Sequence, residues 1–139
     1  MKKILILSLV VLLQACANLG HQYEPINPPI DEGVVYFYRP SRFIGCGVSF
    51  DIKEGDKVIT TMYNNGYYPH QATEGEHTYT VESIENKDSV TLNVKKGHSY
   101  YVSSMVNWGA IVGRPYLNIV SDKERAVSEI KDCKIIIKE

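Results

Sequence analysis

The chain of 139 residues carries 15 Lys and Arg against 16 Asp and Glu. That length suits one domain, and the near-neutral balance without a clustered basic patch excludes a nucleic-acid binder. Three cysteines and ten tyrosines are the features of composition that need placing.

Lys2 and Lys3 precede an almost wholly apolar run, Ile4 to Leu13. That run is about half of the roughly 20 residues needed to cross a bilayer as a helix. Basic start, short apolar core and small terminal residue together spell a secretory signal. Its end, Leu13-Gln14-Ala15-Cys16, resembles the bacterial lipobox, with an aliphatic residue three before the cut and an obligatory cysteine after it; Gln14 is a less usual occupant. The resemblance implies removal of residues 1–15, a thioether-linked diacylglycerol on Cys16, and acylation of the new amino terminus. The alternative is an ordinary signal cut near Ala15 or Ala17. One acyl chain binds a membrane only marginally, at about 0.8 kcal/mol per buried methylene, whereas two or more hold a protein stably. Ala17 stands where Asp would retain a lipoprotein in the inner membrane, so the expected location is the outer membrane, facing the periplasm. Without Lys2 and Lys3 the mature chain has 13 basic and 16 acidic residues, a net of −3.

Residues 16–32 contain Pro25, Pro28 and Pro29 and little periodic hydrophobicity, which predicts a tether. A flexible segment of this length typically spans about 20–25 Å. Residues 33–139 then read as mainly β. Val34 to Tyr38 is a continuous apolar run closed by Pro40, as in a strand buried on both faces. Ile44, Cys46, Val48, Phe50 and Ile52 alternate with polar or glycine positions, predicting a half-buried strand that turns at Glu54-Gly55-Asp56. Val58 to Tyr63 leads to Asn64-Asn65-Gly66, residues that tolerate positive φ. Further alternating runs surround Tyr79 and Leu92, and strands are expected over Ser99 to Val106 and Ile111 to Val120. Turn signals about every 8–12 residues are the spacing of a sandwich or barrel. Ser121-Asp122-Lys123-Glu124 reads as a capping box, with Ala126, Val127, Ile130 and Cys133 on one helical face. Ile135 to Ile137 is expected to add an edge strand. The fold class is therefore a single β-sandwich of about seven or eight strands with one C-terminal helix.

Val35-Tyr36-Phe37-Tyr38-Arg39-Pro40-Ser41 and Gly45-Cys46-Gly47 resemble the opening of the bacterial envelope family called domain of unknown function 2846. Asn65-Gly66-Tyr67-Tyr68, Gly75-Glu76-His77 and Gly97-His98-Ser99-Tyr100-Tyr101-Val102 follow in the same order, from Gly33 to about Lys131. Glu74 departs from the pattern, which usually has proline there. The resemblance implies a compact β-sandwich on an envelope lipoprotein and brings no catalytic residues with it.

With Cys16 acylated, Cys46 and Cys133 remain as an even pair. Both patterns point them inward. A disulfide would close a long loop worth about 4–5 kcal/mol in the chain-entropy model, while two separate buried thiols would pack as small apolar groups; both readings stay open. His21, His70, His77 and His98 lack metal-ligand spacing, so no metal and no cofactor is expected. Asp, Lys and Gly at positions 51, 53 and 55 exclude a calcium loop, and no nucleophile elbow or phosphate-cradling loop occurs. The tyrosines suit strands with polar tips better than a sugar platform. Arg39, Arg42 and Trp108 are the candidate binding surface, with Trp108 either a core plug or an interface anchor. The expected function is a lipid-anchored, non-catalytic envelope module binding another envelope protein or peptidoglycan. An envelope hydrolase whose groups converge only in the fold is the alternative enzyme reading, and a purely structural assembly role is the third.

Overall fold

A computed structural model describes residues 18–138. The expected signal, residues 1–15, and the acylation site Cys16 lie outside that range.

Among the described residues ten strands and one helix follow in order: β1 Leu19–Gln22, β2 Glu32–Tyr38, β3 Phe50–Glu54, β4 Lys57–Met62, β5 Gly66–Thr73, β6 Gly75–Glu82, β7 Lys87–Val94, β8 Ser99–Trp108, β9 Gly113–Ile119, α1 Lys123–Ile130 and β10 Lys134–Ile136. They build a six-stranded mixed sheet, β1-β10-β5-β2-β8-β9, facing a four-stranded antiparallel sheet, β4-β3-β6-β7. The chain is a mainly β sandwich with a helix near its C-terminal end.

The unbroken apolar run of β2 has a direct structural reason. Val35 and Phe37 point into the sandwich with Ile52, Tyr79, Val81 and Val102. Val34, Tyr36 and Tyr38 point the other way, against Tyr67, Tyr101, Ala126, Ile130 and Cys133. A strand covered by a sheet on one side and a helix on the other has no polar face, so alternation disappears. β2 runs parallel to β8, from Val34 opposite Ser99 to Tyr38 opposite Ser103, and both therefore finish at the same end of the molecule. On the far side the two sheets are joined by a side chain: the Leu117 amide of β9 donates to Asp88 Oδ2 of β7 at 2.9 Å.

Three expectations need correction. From Asn18 onward, the segment expected to be a tether is part of the fold. β1 pairs with β10, Leu19 opposite Ile136 and Gln22 opposite Lys134, and the Ile26 amide donates to the Tyr36 hydroxyl at 2.8 Å. Tyr23 packs edge-on to Tyr36 and Tyr67 at 5.5 and 5.3 Å between ring centres. Low periodicity here reflects a strap lying on tyrosines, and it makes β10 an interior strand. Second, the strand expected from Ile44 begins only at Phe50. Residues 41–49 form a loop in which Gly45 has φ 77°, and Val48 N–H donates to Gly45 O at 3.0 Å. A chain folded back on itself every three residues cannot hold strand alternation. Third, the helix cap is Asp122, one residue later than expected, accepting from the Arg125 amide at 3.1 Å. Val127, placed on the inner face by period, is exposed, while Ala126 and Ile130 are fully buried.

Candidate binding surface

Of the three residues expected on a surface, the structure puts them in three different places. Arg39 is buried, 2 % exposed. Its guanidinium donates to Val48 O at 2.5 Å and Gly45 O at 2.6 Å and lies 5.6 Å from the Phe50 ring centre. Arg39 is thus the internal fastening of the 41–49 loop and not a contact residue. This correction follows from loop chemistry: a planar fork of donors satisfies carbonyls that have no strand partner. Arg42 is exposed, its amide held by Asn64 Oδ1 at 3.0 Å, and it lines a small cavity of about 170 Å³ with Ser103, Asn118, Arg125 and Glu129. Trp108 is 65 % exposed at the last position of β8.

The cysteines are also separated in character. Cys46 is exposed on the loop, Cys133 is buried, and both are free thiols; no disulfide joins them. Cys46 fails to point inward because its segment is not a strand. Burial pushes the Cys133 thiol up to about 12, reinforced by Asp132 and opposed by its contact with Arg39 O. It is a packed, inert group.

Around Trp108 lies a groove of about 530 Å³, lined by Val48, Phe50, Ile84, Trp108, Ile111 and Pro115. Three separate pieces of chain build it: the 41–49 loop, the turn between β6 and β7, and the hairpin between β8 and β9. Glu85 joins the last two. Its carboxylate accepts the amides of Ala110 at 2.8 Å and Val112 at 3.1 Å, and also that of Ile111. Arg114 Nε completes the set at 3.0 Å. Burial raises the Glu85 pKa, but these amides, Ile111 first, and the guanidinium outweigh it and leave the carboxyl below its ordinary range. Glu85 therefore acts as a staple that holds Ile84 beside Trp108 and Ile111. Sequence reasoning named Trp108 but missed Ile84, Ile111 and Glu85. An isolated Ser-Ile-Glu-Asn turn carries no periodic signal, and only the fold brings it to the β8–β9 hairpin.

The groove contains little that could do chemistry. Glu82 is paired with Lys53 at 3.1 Å, and Glu85 has four donors on it. Among the described residues no three His, Cys, Asp or Glu side chains gather in metal-binding range, and no helix is long and apolar enough to cross a membrane. Tyrosine serves structure here: Tyr36, Tyr38, Tyr67, Tyr79 and Tyr101 are buried. Tyr38 donates to Glu129 Oε2 at 2.6 Å. Compared with models of known protein families the chain matches none, and no curated protein matches it.

Proposed function

We propose that this chain is a lipid-anchored bacterial envelope protein, held by Cys16 in the outer membrane on its periplasmic side, and that it works by binding and not by catalysis. The resemblance of Leu13-Gln14-Ala15-Cys16 to a lipobox supports the anchor, and the short motifs between Gly33 and about Lys131 that resemble those of domain of unknown function 2846 agree with an envelope location. The observation that carries the binding role is the groove at Trp108. It is apolar, open, and bordered by carboxylates already engaged in ion pairs and amide contacts. Exposed apolar surface of this kind marks contact sites, and a large aromatic at its centre is a typical anchor.

The test is photo-crosslinking in cells, with the reactive residue at position 108 and, as control, at exposed Asn93 on β7. Position 108 is expected to capture an envelope component and position 93 none. Cys16→Ala is expected to move the chain out of the membrane fraction. Equal capture at both positions, or a Cys16→Ala protein still in the membrane, would sink the respective half of the proposal.

A further inference from the structure

Two independent features sit side by side at one end of the sandwich. The first is where the folded chain begins. Asn18 is already fixed: its carbonyl accepts from Ile137 N–H at 2.9 Å, and its side-chain amide donates to the Tyr63 hydroxyl at 3.3 Å. Leu19 is in the sheet. Between Cys16 and Asn18 stands only Ala17, and two peptide steps reach at most about 7 Å. A diacylglycerol on Cys16 would therefore hold the domain directly against the headgroups.

The second feature is the surface next to that point. Asn18 and Leu19 share a cleft with Cys46, Gly47, Val48 and Ser49. Val48 and Ser49 also line the Trp108 groove, so the two depressions share this short stretch. Phe43, 93 % exposed, and Ile44 project from this loop, and Ile84, Trp108 and Ile111 stand exposed across the groove. Among the described residues nothing covers them. The far end of the sandwich carries exposed Asp31, Glu74, Glu76, Lys95 and Lys96, with Ile30 as its one strongly exposed large apolar residue among those described. Exposed apolar residues are thus concentrated beside the anchor point, with Arg42, Glu82 and Lys87 as the charges near them.

We infer that this apolar end, Phe43 and Ile44 with Ile84, Trp108 and Ile111, docks on the same lipid leaflet that carries the anchor. The inference rests on the reading of Cys16 as the acylated residue. It names the bilayer surface as the first partner of the groove. Apolar side chains entering the boundary between headgroups and acyl chains, with tryptophan at that level, are the usual means of interfacial attachment. Exposed Arg42 on the same loop is compatible with anionic headgroups. A leash this short keeps the domain at the leaflet, which favours the bilayer as the occupant of this end.

Trp108 is the single tryptophan of the chain, which makes it the reporter. The full-length lipoprotein would be extracted from its membranes and the mass of the Cys16 peptide measured. It would then be reconstituted in vesicles of phosphatidylethanolamine with a minority of phosphatidylglycerol, with and without brominated acyl chains. Contact predicts at least about a twofold loss of Trp108 emission from brominated lipid, together with a fall in quenching by aqueous iodide. The doubly substituted Phe43→Ser, Ile44→Ser protein changes only exposed loop positions and is expected to keep the fold and lose most of that effect. Acylated protein whose Trp108 is open to iodide and untouched by bromine overturns the inference, as does an unchanged effect in the double variant. Protection from iodide that tracks protein density without bromine quenching would assign the surface to a second copy and overturn it too. An unacylated Cys16 peptide would instead remove the anchor reading, and the inference with it.

Discussion

Arg39 shows how a single residue can be correctly noticed and wrongly placed. An arginine after an aromatic strand and before Pro-Ser reads as a surface cation, because arginine is mostly exposed. In the fold its guanidinium donates to the carbonyls of Gly45, which also accepts the Val48 amide, and of Val48, with the Phe50 ring beside it. Replacing it removes two charge-assisted hydrogen bonds, one of them to Val48 O and one to a Gly45 O that keeps the Val48 amide, and bonds to charged groups are worth about 1.5–3 kcal/mol each. Arg39→Ala is therefore expected to lower unfolding free energy by about 2–4 kcal/mol. Arg39→Lys should recover little of the loss, since an ammonium cannot reach two carbonyls with a planar fork. Urea titration of both variants checks this. A lysine variant as stable as the parent would mean that charge alone, and not the forked geometry, holds the loop. Nothing in the local sequence could have shown this, because the two acceptors are backbone carbonyls turned toward Arg39 only by the loop they belong to.

At the scale of elements, strands were legible wherever one face or both met a single kind of neighbour. β2, β7 and the turn at Asn65, which has φ 61°, match their sequence signals. Loop 41–49 and the strap at residues 23–31 did not match, and for opposite reasons. The first carries strand periodicity but no strand partner. The second lacks periodicity yet is held by tyrosine hydroxyls contributed from distant strands. The β8–β9 hairpin is a third case, since its position depends on one carboxylate from another hairpin. Without Glu85, the amides of Ala110, Ile111 and Val112 would turn to water and Ile111 would no longer be held beside Trp108. Glu85→Ala is expected to cut hydrogen-exchange protection at Ile111 and Val112 by about tenfold or more while β2 and β8 keep theirs. Because the folded carboxyl lies below its ordinary range, the clamp is complete above that range and is lost as pH falls through the folded value. Protection at the hairpin that survives the substitution would show that the β8–β9 pairing alone fixes the groove.

The whole molecule was legible as a class and not as a topology. Alternation and turn spacing announce a sandwich, but the parallel pairing of β2 with β8 joins segments more than sixty residues apart, and no local pattern encodes a neighbour at that distance. The same long-range assembly creates a property of the fold as a whole: a half-buried histidine packed against core rings. His70 on β5 lies 6.2 Å from Phe37 and 5.8 Å from Tyr79 between ring centres. Burial lowers its pKa to about 4; Glu54 opposes the shift, and Lys57, His77 and Lys138 add to it. In the unfolded chain a histidine titrates near about 6.5. The unfolded state therefore takes up a proton first as pH falls, so His70 supports the fold fully above pH about 6.5 and progressively ceases to do so towards the folded value. This limb should precede the one due to carboxylates, which enters lower. Urea midpoints are expected to decline between pH 6.5 and 5 in the parent protein. They should hold nearly level over the same interval in His70→Phe, which keeps a ring against Phe37 and Tyr79 without a titrating nitrogen. An equal decline in both would transfer the effect to another group.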